Sequence, residues 1–175
     1  MNYIKQLLGV AALATMAMSS VGKADDATFF ALYDQVNSAD IEIAELGVIK
    51  GNSVELRRVA AMILRDHAGV RQMARDIAAD NGITYDLPAD KDMAATHAEN
   101  VARLSQLEGA AFDEAYLQLE VPFHRGASEA VRNTFIPSVE NDEFREHLEA
   151  VLPHFEHHLS ATIEAAQALG YQVTE

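Results

Sequence analysis

From Phe29 almost to the C-terminus, apolar residues recur at alternating steps of three and four, and this period constrains the fold more than any other feature of the chain. A repeat near 3.6 places such positions on one stripe of an α-helix, and a long stripe must be buried against others of similar length. The first segment carries Phe29, Leu32, Val36, Ala39, Ile43 and Leu46 and stops at Gly51, a residue type that ends helices. The second follows Asn52 and Glu55, spaced as in a capping box, and carries Leu56, Ala60, Ile63, His67, Val70, Ala74 and Ile77 up to Asn81-Gly82. After the turn-rich ITYDLPAD, the stretch MAATHAENVARLSQLE predicts a shorter connecting helix ended by Gly109. The third long segment passes Phe112, Leu117, Val121, His124, Ser128, Val131 and Phe135 before Pro137. The last starts at Asn141-Asp142 and carries Phe144, Leu148, Val151, Phe155, His158, Thr162, Ala165 and Leu169 up to Gly170. Pro122 and Pro153 inside these segments predict bends. Strand-like alternation is confined to a few residues at 83–85, so the expected fold is all-α: a four-helix bundle with one additional short connecting helix.

The first 24 residues stand apart. Lys5 opens a short basic region, LLGVAALATMAM is an apolar run of signal-peptide length, and Gly22 and Ala24 supply small residues for cleavage. Residues 1–24 therefore predict a signal peptide and residues 25–175 a single bundle domain, exported and periplasmic, without stable membrane insertion after cleavage. The chain has no cysteine, which excludes disulfides, thiol catalysis and thiolate metal sites, so the core must hold the protein together. Of 13 Lys and Arg, Lys5 and Lys23 would leave with the signal, which turns a formal charge of −14 into −16. A surface this acidic repels nucleic acid and favours cations or basic partners.

The stripes sort the seven histidines. His67, His124 and His158 occupy seam positions on three different helices, where the period otherwise demands an apolar residue, and a buried imidazole needs partners for both nitrogens. Each also lies near the middle of its helix. Helix midpoints coincide in level whatever the direction of each helix, so the three imidazoles can meet, as facing side chains do in bundle metal sites. A carboxylate from the first helix would complete the set. Glu42 and Asp40 both flank the seam near this level, and Glu42, with its longer reach, is the expected fourth ligand. Glu120, one turn before His124, and His154, one turn before His158, are further candidates, and Asp66 is placed behind the ligands or on the surface. His157 points outward, while His97 and His147 fall in charged surroundings. Tyr33 and Tyr116 offer the competing, metal-free way to satisfy the seam histidines.

The pieces RRVAAMILRDHAGV, LEGAAFDEAYLQLEVPFHRGA and HLEAVLPHFEHHLSAT resemble a family of exported bacterial proteins of unknown function with a ferritin-like helical bundle. Its motifs DH, FDxxY, a following H, and LPxxxxH match Asp66-His67, Phe112-Asp113 with Tyr116, His124, and Leu152-Pro153 with His158. The resemblance implies the fold and points to the same three histidines. Di-iron and di-manganese carboxylate bundles use two Glu-x-x-His pairs, and no glutamate lies three residues before any histidine in this chain, so a mononuclear, histidine-rich site is expected instead. Zinc, copper, nickel or iron would suit such ligands. No Gly-x-Ser-x-Gly elbow and no HExxH motif are present. The functional expectation is a metal-binding protein with a storage, buffering or stress-protection role, set against a metal-dependent oxidoreductase and a metal-free structural or interaction module.

Overall fold

The computed structural model describes residues 25–173, so the expected signal peptide lies outside the described residues. Five helices follow in order: α1 (Asp26–Lys50), α2 (Val54–Asp80), α3 (Lys91–Ser105), α4 (Gly109–Ala130) and α5 (Asp142–Leu169). A π-helical turn, Val131–Phe135, and one short turn, Ile136–Ser138, extend α4 toward α5. No strand is present among the described residues, and no helix there is long and apolar enough to cross a membrane. The all-α bundle with a short connecting helix is the observed architecture.

Side-chain caps set the starts of α1, α2, α3 and α5. Asp25 accepts from the Thr28 amide, Ser53 from Leu56, Asp90 from Asp92 and Met93, and Asn141 from Phe144, each satisfying an amide with no partner inside its helix. At α2 the cap is Ser53, one residue later than the Asn52–Glu55 spacing suggests, because Asp113 of α4 takes the Asn52 and Ser53 amides itself, both at 2.8 Å. Gly170 ends α5 at φ 74, a left-handed conformation that glycine adopts without a Cβ clash. Pro122 and Pro153 sit inside continuous helices, and the irregular turn of α4 comes later, at the π-helical residues.

α1 packs on α2, α2 on α5, α5 on α4, and α4 closes the ring against α1. Two apolar clusters fill the interior. One contains Ile43, Ala44, Leu56, Ile63, Phe112 and Ala166, and the other Phe30, Val70, Ala78, Val131, Phe144 and Val151. Their order along the chain is opposite in α1 and α5 from that in α2 and α4, so every neighbour in the ring is antiparallel. Between the clusters lies a layer of buried polar residues: Asn37 and Asp40 of α1, His67 of α2, Glu120 and His124 of α4, and His158 of α5. Burying so many polar groups at one level costs several kcal/mol unless they find partners. The two apolar ends stabilise the bundle around that layer.

At Gly47, α1 comes close to both α2 and α4. A Cβ there would lie 2.6 Å from the Ala60 Cβ and 2.6 Å from the Tyr116 ring. Gly47→Ala gains about 1 kcal/mol of helix propensity, but forcing a methyl between two packed neighbours costs about 1–3 kcal/mol. Overpacking therefore wins, and the urea midpoint should fall. A raised midpoint would show that α1 can move away from α2 and α4 at little cost.

Candidate metal centre

Helical phase brings His67, His124 and His158 together in the polar layer. Their ring centroids form a nearly equilateral triangle with sides of 5.6, 5.1 and 5.4 Å. All three are buried, and one nitrogen from each lies within 4.8 Å of the others. A tetrahedral ion with bonds of roughly 2.0–2.1 Å would hold its ligand nitrogens about 3.4 Å apart. Closing the triangle onto an ion thus takes a contraction of at most about 1.4 Å from the 4.8 Å limit, within the reach of side-chain torsions.

Hydrogen bonds on the outer side fix which nitrogen faces inward. The Asn37 amide nitrogen donates to the Tyr33 carbonyl at 2.7 Å, so its Oδ1 is the acceptor left to meet His67 Nδ1 at 2.9 Å. His67 Nδ1 therefore carries a proton, and Nε2 faces inward toward Asp40. His124 repeats the arrangement by donating from Nδ1 to the Glu120 carbonyl at 3.1 Å. His158 reverses it: Nε2 donates to Asp66 Oδ2 at 3.1 Å and Nδ1 is left bare. The three inward atoms, His67 Nε2, His124 Nε2 and His158 Nδ1, have no hydrogen-bond partner. In a buried layer such atoms call for an explanation. An imidazole whose outer N–H is held by a carboxylate or carbonyl while its inner nitrogen is free is how proteins orient histidine toward a metal.

Asp40 supplies the negative charge. Its Oδ2 lies 2.9 Å from His67 Nε2 and 3.5 Å from His124 Nε2, and neither carboxylate oxygen is hydrogen-bonded. Burial opposes the charge on Asp40, but the imidazoles of His67 and His124 outweigh it and hold the carboxyl below its ordinary range. Burial likewise drives His124 and His158 down to about 4, so both rings are neutral near pH 7. A buried carboxylate ringed by inward-facing imidazole nitrogens is an arrangement that a cation bound between them would satisfy. Glu120 completes a second group with Asp40 and His124, again within 4.8 Å of one another. Burial, then the Asp40 charge, pushes Glu120 well above the carboxylate range, so it keeps its proton.

Glu42, the expected fourth ligand, is not among these residues. Its carboxylate meets His97 at 2.7 Å on the outside of the bundle, with a side chain 54% exposed against 1% for Asp40. Two residues rotate a helix by roughly 200°, so Asp40 and Glu42 cannot share a face, and reach does not compensate for direction. The discrepancy follows from the phase of α1. Its seam runs through Phe30, Tyr33, Asn37, Asp40, Ala44 and Gly47, whereas Val36 and Ala39 belong to the flank covered by α3. A seam that carries the polar layer is hidden from a search for apolar period, and the flank facing α3 supplies a false one.

The remaining histidines divide as follows. His154 faces solvent instead of assisting His158, and His157 is exposed as expected. His147 is buried, where charged surroundings were expected, and pairs with the Tyr33 hydroxyl at 3.1 Å. Tyr33 is thereby occupied away from the seam histidines, and the Tyr116 hydroxyl has no partner. Asp66 lies behind His158, held below the usual range by its bonds to His158 and Arg65 against the opposing effect of burial. Asn37 is the member of the polar layer that the apolar period does not reveal. Its spacing of three from Asp40 is the available signal, since that spacing puts both on one helix face.

The fold and this layer define a helical bundle with a buried histidine–carboxylate cluster that could hold a metal ion. A family model described as a domain of unknown function, DUF4142, matches residues 11–167, and the chain belongs to that family. No curated protein and no solved structure matches.

Proposed function

We propose that this protein binds one transition-metal ion through His67 Nε2, His124 Nε2 and His158 Nδ1, with Asp40 as the fourth ligand. The observation that carries the reading is the set of three buried, outwardly anchored imidazoles whose inner nitrogens have no partner beside an ionised carboxylate. A metal-free polar network could pair Asp40 with a proton on His67 Nε2 or on Glu120, but it leaves His124 Nε2 and His158 Nδ1 without a hydrogen-bond partner. Three imidazoles and one carboxylate suit zinc, copper, nickel or iron. Within this reading the protein is exported and periplasmic, its bundle is ferritin-like, and it stores, buffers or sequesters the ion during stress.

Untagged protein stripped with a chelator should take up about one equivalent of Zn²⁺ or Co²⁺, and the cobalt form should show visible absorption of four-coordinate intensity. The triple variant His67→Ala, His124→Ala, His158→Ala should take up none at this site. Stoichiometric uptake that survives all three changes would sink the proposal. Redox turnover by an iron- or copper-loaded form would move the protein from storage to catalysis.

A further inference from the structure

The layer is not sealed on every side. Between α1, α3 and α4 a narrow cleft of about 60 Å³ runs in to Asp40 and Glu120, with apolar walls that include Ala39, Ile43, Met93 and Phe123 and with Thr96 and Asn100 on the α3 side. At Ala39, Met93 and His97 it adjoins an outer hollow of about 330 Å³ that includes Leu87 and Pro88. The His97–Glu42 pair, 2.7 Å apart, stands where the two meet. The roof is light: α3 buries only Leu104 fully, and the Gln35 side chain pins its start by exchanging two hydrogen bonds with the Asp90 backbone, at 2.6 and 2.8 Å.

We propose that this cleft is the binding site and entry route of a small uncharged molecule, of dioxygen to short-alcohol size, which reaches the bound ion from the Asp40–Glu120 side. This rests on the metal reading above. The size limit follows from the volume, which leaves room for only a few heavy atoms. The preference for an uncharged molecule follows from the mostly apolar walls, against which an ion would lose its water before it reached Asp40. An anion would in addition meet the Asp40 carboxylate. The apolar flank of α1 thus has a purpose beyond holding α3: it lines a mostly apolar approach to the polar layer.

Xenon is a suitable probe, being uncharged, apolar and small enough for such a cavity. In ¹²⁹Xe NMR the metal-free protein should give a saturable, protein-dependent shift. Ala39→Leu, which fills the cleft and leaves every proposed ligand in place, should abolish it at unchanged helicity, and Met93→Trp does the same from the α3 side if Ala39→Leu fails to fold. In Co²⁺-loaded protein the bound xenon should acquire an additional paramagnetic shift. Absence of a saturable shift in the metal-free protein overturns the inference and leaves the metal reading intact. Xenon binding without a paramagnetic shift, in protein carrying one cobalt, separates the cleft from the ion and overturns it as well. Failure to take up cobalt overturns the metal reading and this inference with it.

Discussion

Replacing His67 with alanine is expected to weaken binding of Zn²⁺ by on the order of a hundredfold or more, measured by competition with a chromophoric chelator. The expectation rests on three consequences of one change: a ligand nitrogen is lost, Asp40 loses its nearest neighbour, and Asn37 Oδ1 is left without its donor. Residues that orient a ligand from behind should matter less. Asn37→Ala and Asp66→Asn are expected to cost about tenfold to a hundredfold, because each frees an imidazole to turn but leaves its nitrogen available. Asp40→Asn should weaken binding strongly by removing the one carboxylate that neutralises the ion's charge. Glu42→Ala should leave affinity unchanged, since its carboxylate serves His97 outside the bundle. If Glu42→Ala and His67→Ala gave equal losses, binding would be a general property of the acidic surface and the buried site would be excluded.

The metal-free protein should lose stability steeply as pH falls from about 6.5 toward about 4. His124 and His158 titrate near 4 in the fold, chiefly because burial penalises the charged ring, whereas they titrate near 6.5 in the unfolded chain. Within that window the unfolded state binds more protons than the folded one, so stability rises with pH and is lost on acidification. Moving one pKa by one pH unit is worth about 1.4 kcal/mol, so the two rings together lose several kcal/mol across the window. His147, lowered by burial as well, adds in the same direction. The Asp40 carboxyl, held below its ordinary range, extends the loss to still lower pH. A bound ion requires the same neutral imidazoles and stabilises the fold by about 4 kcal/mol when free metal is a thousandfold above Kd. Urea midpoints taken with chelator at about pH 7.5 and about pH 5 should therefore differ sharply, and excess Zn²⁺ should raise the midpoint at the higher pH far more than at the lower. Equal midpoints at the two pH values with chelator present would mean that His124 and His158 are not buried neutral.

The two helices with the cleanest apolar pattern show what can be read in advance. In α2 and α5 the expected stripes are the buried ones almost position for position, and His67 and His158 interrupt them in phase. Leu and Phe on a single side allow only one orientation of such a helix. The FDxxY motif is visible in the sequence, but its purpose is visible only in the fold: Phe112 lies in the core, Asp113 ties down the turn between α1 and α2, and Tyr116 packs on Gly47. The last two are contacts between residues about 60 to 70 positions apart, which no local spacing encodes.

Helix α1 marks the boundary most clearly. Its composition and length require a helix, and periodicity along the chain places three histidines at one depth in an all-α bundle, because both properties follow from the 3.6-residue turn alone. Which side of α1 faces those histidines depends on which neighbours cover its other sides. With α3 on one flank and α2 and α4 on the seam, apolar residues are demanded in two directions and the polar ones between them point inward. Only the packed structure could make that choice, and with it exchange Glu42 for Asp40, add Asn37 behind His67, and leave an apolar cleft leading to the layer.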